Sequence, residues 1–168
     1  VFNQFKNGPK ILYASSSTAY EPWRNPYAMS KHYMETIAPH NALAMRFTTV
    51  YGPGAREQML IPKILKDDVD YINVDHSRDF IHIDDILTAI GFLIVNPLPK
   101  KPKFVDVGTG ISNKLIDIFD HLNMTIKDKR MGTIYERKDN VAKIGTLSKM
   151  GWIPQTNLLD YLKENYDN

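Results

Sequence analysis

Short apolar runs alternate with segments of helical periodicity along most of this 168-residue chain. The first run, Lys10–Ala14, leads into Ser15-Ser-Ser17, which is typical of a buried parallel strand whose carboxyl end opens into a polar site. Two further short runs, Ala42–Phe47 and Phe104–Val107, also indicate strands, and helical segments lie between the three. This alternation predicts an α/β architecture with a mostly parallel sheet.

The same periodicity places the remaining elements. Further strands are predicted at Tyr71–Val74 and Asp79–Ile83. Helices are predicted at Tyr27–Pro39, Met59–Leu65, Ile86–Val95, Lys114–Leu122 and Leu158–Tyr166. Asn25 is expected to cap the first helix. The Asp84-Asp85 pair is expected to cap the helix that follows it, and Ser112 to cap the next one.

Composition disfavours several classes of protein. With 43% apolar and 24% charged residues, the chain is close to an average globular protein and unlike a disordered or fibrous one. A net charge of +2 gives no reason to expect nucleic-acid binding, and no apolar run is long enough to span a membrane. The absence of cysteine excludes disulfides and suits a cytoplasmic location. The five histidines lack metal-site spacing, so no metal is expected.

Tyr27 and Lys31 are the most suggestive pair of polar side chains. Because they are four residues apart at a predicted helix start, they share one helix face. A phenol titrates near ~10 in isolation, and both a nearby ammonium and a helix N-terminus favour the phenolate, which can act as a base. The alternative is an ordinary surface pair, which chance supplies in a chain with nine tyrosines. The position just after a strand ending in serine favours a site.

Five landmarks follow one another in a fixed order. They are Ser15-Ser-Ser17 with Tyr27-x-x-x-Lys31, Arg46-Phe-Thr-Thr-Val-Tyr-Gly-Pro-Gly54, Arg78-Asp-Phe-Ile-His-Ile-Asp-Asp85, Val107-Gly-Thr-Gly110 and Met150-Gly-Trp-Ile-Pro154. Together they cover most of residues 10 to 155. In this order the chain resembles the extended short-chain dehydrogenase/reductase superfamily, specifically its nucleoside-diphosphate-sugar epimerases and dehydratases. The resemblance implies part of a Rossmann-type parallel sheet with helices, and a small α/β substrate-binding domain.

The resemblance also implies catalytic and cofactor roles. Ser16 aligns with the catalytic serine or threonine of the family, and Tyr27 with its proton-transferring tyrosine. Lys31 aligns with the lysine that holds the nicotinamide ribose and tunes that tyrosine. The implied cofactor is NAD or NADP, which Tyr27 and Lys31 would contact. Oxidising a sugar carbinol requires a base for the hydroxyl proton while a hydride leaves carbon for the nicotinamide.

Four further positions match substrate contacts of the family, namely Ser17, Thr49, Arg78 and Arg137. A guanidinium suits the diphosphate of a nucleotide sugar because its donors fork onto phosphate oxygens, although both arginines are also compatible with surface salt bridges. Thr49 stands where the family usually has asparagine. Ser17 and Thr18 stand where sugar 4,6-dehydratases carry Asp-Glu, so epimerase, reductase or decarboxylase chemistry fits better.

The glycine-rich turn that cradles the cofactor pyrophosphate in this family precedes the matching landmarks. Gly108-Thr-Gly-Ile-Ser-Asn113 imitates half of that turn, but Asn113 replaces its third glycine, so we interpret it as belonging to the substrate-binding half. We therefore expect most of the cofactor site to lie outside this chain. Residues 1–54 are predicted to be the C-terminal portion of a Rossmann-like domain. Residues 55–168 are predicted to be mainly substrate-binding, with some segments returning to the Rossmann sheet.

Two functions stay open on the sequence. The first is an NAD(P)-dependent nucleotide-sugar epimerase/dehydratase-like enzyme that is truncated or needs a missing N-terminal cofactor half. The second is a non-catalytic sugar-nucleotide-binding or interaction module derived from that family. Expected partners are a nucleotide sugar and either a second copy, paired through the Tyr27–Pro39 helix, or a chain that supplies the cofactor half. The sugar, the reaction outcome and the choice between NAD and NADP are not fixed by these residues.

Overall fold

A computed structural model of the protein describes residues 2–5, 7–99 and 101–166. Within these ranges the α-helices are α1 (Phe2–Phe5), α2 (Pro26–Ile37), α3 (Leu60–Leu65), α4 (Ile83–Val95), α5 (Leu115–His121), α6 (Gly145–Met150) and α7 (Leu158–Tyr166). The strands are β1 (Ile11–Ser16), β2 (Ala42–Phe47), β3 (Thr49–Tyr51), β4 (Ile72–Asn73), β5 (Ser77–Arg78), β6 (Phe80–His82), β7 (Phe104–Val107), β8 (Asn113–Lys114), β9 (Lys129–Arg130) and β10 (Asp139–Asn140). No helix in the described part of the chain combines the length and apolarity needed to cross a bilayer.

A three-stranded parallel sheet, ordered β1-β2-β7, forms the centre of the fold. Ser16 pairs with Phe47, which in turn pairs with Val107, so the carboxyl ends of all three strands meet at one edge. Strands β2 and β7 have the bounds predicted from their apolar runs, whereas β1 begins one residue later and ends two residues later than predicted. The expectation that the Lys10–Ala14 run is a buried strand is wrong, because β1 lies at the edge of this described sheet and its residues 11–14 are only partly buried or exposed. The expectation of an α/β fold with a parallel sheet is confirmed.

Shorter pairings extend the structure beyond this sheet. Strand β3 pairs in parallel with β6, and β4 with β9. A third group is ordered β10-β5-β8, in which β5 runs parallel to β10 and antiparallel to β8. The β10-β5 ladder places Arg78 opposite Asn140, although 62 positions separate them along the chain. This ladder brings two distant segments to the same side of the molecule.

Two apolar cores pack the helices against these strands. One packs α4 and α6 against the central sheet, and its buried members include Leu43, Ile81, Ala89, Val105 and Leu147. The other joins α3, α5 and α7, and its buried members include Tyr51, Ile64, Phe80, Phe119 and Leu162. Both cores draw on residues from before and after position 80. The division of the chain near residue 54 stays a prediction.

Two of the three expected helix caps are wrong. Asn25 does cap α2, since its side-chain oxygen accepts from the Ala28 N–H at 2.9 Å. The hydroxyl of Ser112 instead donates to Asp139, because strand β8 intervenes before α5 begins. Helix α4 is capped by the ring of His82. Asp85 is buried and accepts hydrogen bonds from the backbone of residues 155 and 156.

Candidate active site

A cleft of about 600 Å³ opens where β1 and β2 end. Residues from the end of β1, the start of α2, the segment after β2 and strand β5 line it. They include six of the seven site residues predicted from the sequence, namely Ser16, Ser17, Tyr27, Lys31, Thr49 and Arg78. Arg137 lies instead in an adjoining cleft of about 200 Å³, which shares Arg78 and Asn140 with the first. The fold therefore gathers the predicted side chains at one edge of the sheet.

Ser16 is the last residue of β1, and its hydroxyl group is free to donate a hydrogen bond. Its hydroxyl oxygen accepts from the Thr18 N–H at 3.2 Å and from the Thr18 hydroxyl at 2.9 Å. Because the oxygen already accepts twice, its own proton is left for a ligand in the cleft. The chain turns sharply here because Ser16 caps a 3₁₀ helix, Ser17–Tyr20.

Tyr27 and Lys31 lie on the first two turns of α2. Tyr27 is 56% exposed, so its hydroxyl is accessible to a ligand. The Lys31 Nζ lies 5.6 Å from the centroid of the Tyr27 ring and donates to the Ala14 carbonyl at 3.3 Å. That hydrogen bond ties the ammonium to β1, so a positive charge is held between the phenol and the end of the strand.

Arg78 already uses much of its hydrogen-bonding capacity inside the protein. Its Nη1 donates to the carbonyls of Ser77 at 2.8 Å and Arg137 at 3.0 Å, and its Nη2 lies 2.9 Å from Nδ1 of His76. Burial and the nearby charge of Arg137 lower the pKa of Arg78, while Glu136 opposes that change, yet a guanidinium stays charged. The side chain thus holds β10 beside β5 and also presents a positive charge to both clefts.

Arg137 links the two clefts through the end of β1. Its Nη1 donates to the Ser17 carbonyl at 2.9 Å and to Oδ1 of Asn140 at 3.1 Å. Its Nε lies 3.3 Å from Oε1 of Glu21 and forms an ion pair with it. Arg137 therefore positions the Ser17 backbone as well as lining the smaller cleft.

A buried ion pair beneath the cleft was not predicted from the sequence. Glu35, on α2, accepts from the Ser15 hydroxyl at 2.6 Å and from Nε and Nη2 of Arg46 at 2.9 and 2.5 Å. The guanidinium packs against two rings, with its Cζ 3.6 Å from the centroid of Phe104 and 4.2 Å from that of Tyr20. Burial alone would lower the pKa of Arg46, but Glu35 outweighs that effect and raises it. This network joins α2 to β1 and β2.

A second buried carboxylate holds the 3₁₀ helix on the sheet. Asp106, on β7, accepts from the Tyr20 hydroxyl at 2.9 Å and from the Lys143 N–H at 2.8 Å. Burial, followed by the charge of Asp106, raises the pKa of Tyr20 to about 12. Burial likewise raises the pKa of Asp106, although its hydrogen bonds act in the opposite direction. Tyr20 is therefore a structural phenol and no candidate for a base.

The glycine turn at residues 108–110 is already filled by an internal anion. The carboxylate of Asp79, which is fully buried, accepts from the N–H groups of Thr109 and Gly110 at 2.8 Å each and from Ala142 at 3.0 Å. A Cβ on Gly108 would lie 2.5 Å from that of Ala142, so the turn is tightly packed. The N–H groups of Thr109 and Gly110 are therefore not available to a phosphate. The assignment of this turn to the substrate-binding half stays a prediction.

Thr48 lines the large cleft and was not predicted from the sequence. Thr48 lies in the landmark that begins at Arg46, at a position that the family pattern does not fix. Its distance in sequence from other polar residues gives no sign of a role. Within the described ranges, no group of three or more His, Cys, Asp or Glu side chains is placed to hold a metal ion.

Residues 4–108 match the family described as the NAD dependent epimerase/dehydratase family. The chain belongs to this family. A curated relative, the CDP-abequose synthase of Salmonella typhimurium (strain LT2), is 30% identical over 181 residues, which cover 90% of this chain and 57% of that protein. The chain thus spans little more than half the length of this relative of the epimerase/dehydratase family.

Solved structures of similar fold agree with the family. "MoeE5 in complex with UDP-glucuronic acid and NAD" superposes with a TM-score of 0.79 at 21% identity, over 95% of this chain and 64% of that one. The NAD-dependent NDP-hexosamine 5,6-dehydratase TunA gives a TM-score of 0.79 at 22% identity, over 95% of this chain and 62% of that one. The Rossmann-like fold expected for the epimerase/dehydratase family is confirmed.

Proposed function

We propose that this chain carries the nucleotide-sugar side of the active site of an NAD(P)-dependent nucleoside-diphosphate-sugar enzyme. One observation carries the proposal: Ser16, Tyr27 and Lys31 line a single cleft of about 600 Å³ together with residues of β3 and β5. The cleft lies at the carboxyl ends of parallel strands, where ligands bind in folds of this kind.

The residues at the cleft mouth fit the ribose of a nicotinamide dinucleotide. Tyr27 offers an accessible hydroxyl, and Lys31 places an ammonium beside its ring. When bound, the nicotinamide exchanges a hydride with a sugar carbon. The pyrophosphate has no matching cradle in the turn at residues 108–110, because Asp79 occupies it. The cofactor contacts that we assign to this chain are those of Tyr27 and Lys31.

Proton transfer is the task of the side chains around the sugar. Tyr27 takes the proton of a sugar hydroxyl or returns it, depending on the direction of the reaction. The hydroxyl of Ser16, whose proton is left for a ligand, orients the same sugar oxygen. Lys31 stabilises the tyrosinate through its positive charge. Three side chains from β1 and α2 thus divide the roles of base, orienting donor and electrostatic support.

The arginines and the relatives support a nucleotide sugar as the substrate class. Arg78 and Arg137 lie at the two clefts, and guanidinium groups bind diphosphates well. The relatives named above are a CDP-abequose synthase, a protein solved with UDP-glucuronic acid and an NDP-hexosamine 5,6-dehydratase. Ser17 and Thr18 cannot act as the acid and base of a 4,6-dehydration, which favours an epimerase-like, reductase-like or decarboxylase-like outcome. Thr49 would contact the sugar.

A nucleotide-sugar titration tests the proposal. We expect calorimetry on the chain to detect binding of UDP-glucose, dTDP-glucose or CDP-glucose. Arg78→Ala should weaken the tightest of these by about 10- to 100-fold, since charge-assisted hydrogen bonds to phosphate contribute roughly 1.5–3 kcal/mol. Arg130→Ala is the matched control, because Arg130 is exposed and pairs with Asp128 outside both clefts. Absence of binding to all three compounds contradicts the proposal.

Self-association through α2 is a further part of the proposal. Met29, Tyr33 and Ile37 follow one another at helical spacing and are all more than half exposed. Such an apolar stripe is a candidate for burial against a second copy, and we expect sedimentation to show a dimer. Tyr33→Asp should yield a monomer, whereas Ile134→Asp, at an exposed apolar residue outside the helix, should not. A monomeric parent chain at high micromolar concentration would contradict this arrangement.

The rival function is a non-catalytic module for binding a sugar nucleotide or for interaction with a partner. The internally filled turn at residues 108–110 is compatible with it, because that turn contributes nothing to a dinucleotide site. Turnover that depends on Tyr27 separates the two functions. We further propose a cytoplasmic location, because a chain without cysteine suits a reducing compartment.

A further inference from the structure

We propose that the side chains of Ser17 and Thr48 form a paired hydroxyl subsite that selects a hydroxyl-bearing sugar ring. The inference rests on the proposed function and adds to it a specificity-determining residue, Thr48. Both residues line the large cleft. The two hydroxyl groups bind a ring hydroxyl of the substrate, and they disfavour a sugar that lacks a hydroxyl on the same carbon.

The sheet places the two residues side by side. Strands β1 and β2 are parallel, and Ser16 pairs with Phe47 in their register. Ser17 and Thr48 directly follow these two paired residues in the sequence, so they start from adjacent strand ends, although Ser17 already belongs to the 3₁₀ helix. The Thr48 N–H donates to the Val107 carbonyl at 3.2 Å, which continues the ladder by one step. The backbone at this edge is therefore held by the sheet.

Their side-chain surroundings are also restrained. A Cβ added to Gly108 would lie 2.8 Å from the Thr48 γ2 methyl, so the methyl packs against the glycine turn. The Ser17 carbonyl is held by Arg137 at 2.9 Å. Both residues are thus fixed by contacts that do not use their hydroxyl groups.

The two hydroxyls are buried and have no hydrogen-bond partner among the described residues. Ser17 is 1% exposed and Thr48 is 9% exposed, and neither oxygen has a donor or acceptor in reach. Buried polar groups normally have such a partner. The neighbouring hydroxyls on β1 do: Ser15 donates to Glu35, and Ser16 accepts from Thr18. The unpartnered pair thus lies where the cleft meets the sheet.

The chemistry of the pair favours an alcohol as its ligand. Each hydroxyl can both donate and accept, which matches the donor and acceptor of a sugar hydroxyl. A site built to bind a hydroxyl rejects the analogue that lacks it, because its own buried polar groups are then left unpaired. A methylene in the same place would restore neither hydrogen bond. The pair therefore supplies discrimination between hydroxylated and deoxygenated sugars.

Calorimetry with two ligand types tests this subsite. UDP-glucose, dTDP-glucose, CDP-glucose, UDP, dTDP and CDP are each titrated separately into the parent chain. The glucose nucleotide that binds most tightly, and the nucleoside diphosphate that corresponds to it, are then titrated into the variants. Thr48→Val and Ser17→Ala should each weaken binding of the glucose nucleotide about tenfold, the loss of one good hydrogen bond. Binding of the nucleoside diphosphate should not change. Thr48→Ser, which keeps the hydroxyl, should bind like the parent chain, and melting curves establish that each variant is folded.

The outcomes distinguish this inference from the proposed function. Equal loss of affinity for the glucose nucleotide and the nucleoside diphosphate overturns the subsite, because the effect would then not involve the sugar. Unchanged affinity in both folded variants overturns it as well, and indicates that buried water satisfies the hydroxyls. In both cases nucleotide-sugar binding itself persists and the proposed function stands. Failure of the parent chain to bind any of the six compounds overturns both.

Discussion

Replacement of Tyr27 with phenylalanine is expected to lower turnover by about 10²–10⁴-fold, the usual contribution of a positioned acid or base. Phenylalanine keeps the ring and removes the hydroxyl that exchanges the proton. Because Tyr27 is 56% exposed at the cleft mouth, the fold does not depend on that hydroxyl. The measurement is steady-state kinetics with a nucleotide sugar in an assembly that also supplies a dinucleotide site. Affinity for the nucleotide sugar should stay near that of the parent.

The adjacent turns of α2 offer a matched control for this variant. Tyr33 is also exposed on the helix but does not line the large cleft, so Tyr33→Phe should retain full turnover. Lys31→Met should lower turnover as well, because the charge beside the phenol is lost. Parent-level turnover in Tyr27→Phe would remove the catalytic role of the phenol. The non-catalytic module would then be the better account of this chain.

The sequence predicts strands β2 and β7 well because nearly all of their residues are buried. Ala42–Phe47 and Phe104–Val107 are apolar runs with clear ends, and the structure confirms both bounds. The end of β1 was predicted two residues early, because serine has no apolar side chain to continue the run. Ser15 and Ser16 still pair in register with β2, and their hydroxyl groups find partners that lie outside the strand. Hydrophobicity alone does not report such partners.

Features that depend on distant contacts were not predicted. Asp85 looked like a helix cap, yet its carboxylate accepts from Gln155 and Thr156, about 70 positions away. Ser112 was assigned to a helix start, yet the β10-β5-β8 ladder inserts a strand there. Strands of two residues, such as β8, carry no periodicity of their own. Their positions follow from tertiary pairing that one sequence does not reveal.

Some residues of the candidate site could be predicted from the sequence and others could not. Tyr27 and Lys31 could be chosen because their spacing and order carry a chemical meaning, and the structure places both on the cleft. The same spacing extended by one turn reaches Glu35, so a helix-face argument could have found it. Its partner Arg46 lies in β2, and the cleft residue Thr48 directly follows that strand. The roles of both residues depend on the side chains that the fold places next to them.

The Glu35–Arg46 pair is expected to give the largest loss of stability among single changes in this region. The two side chains are 9% and 5% exposed and share two hydrogen bonds. Arg46→Met leaves the Glu35 carboxylate buried without its partner, and breaking a buried pair in this way costs about 3–5 kcal/mol. For a domain of this size the melting temperature should fall by on the order of 10 °C. Denaturant unfolding and thermal melting measure the change.

A double variant separates the ion pair from simple packing. If the cost comes from the unpaired charge, adding Glu35→Met to Arg46→Met should recover much of the stability, because no buried charge then remains. Arg130→Met is the control: its ion pair with Asp128 is half-exposed, so its loss should cost less than about 1 kcal/mol. Additive losses in the double variant would contradict the electrostatic explanation. Since Glu35 shares its helix with Tyr27 and Lys31, recovery of stability without recovery of turnover would further show that the pair orients α2 toward the cleft.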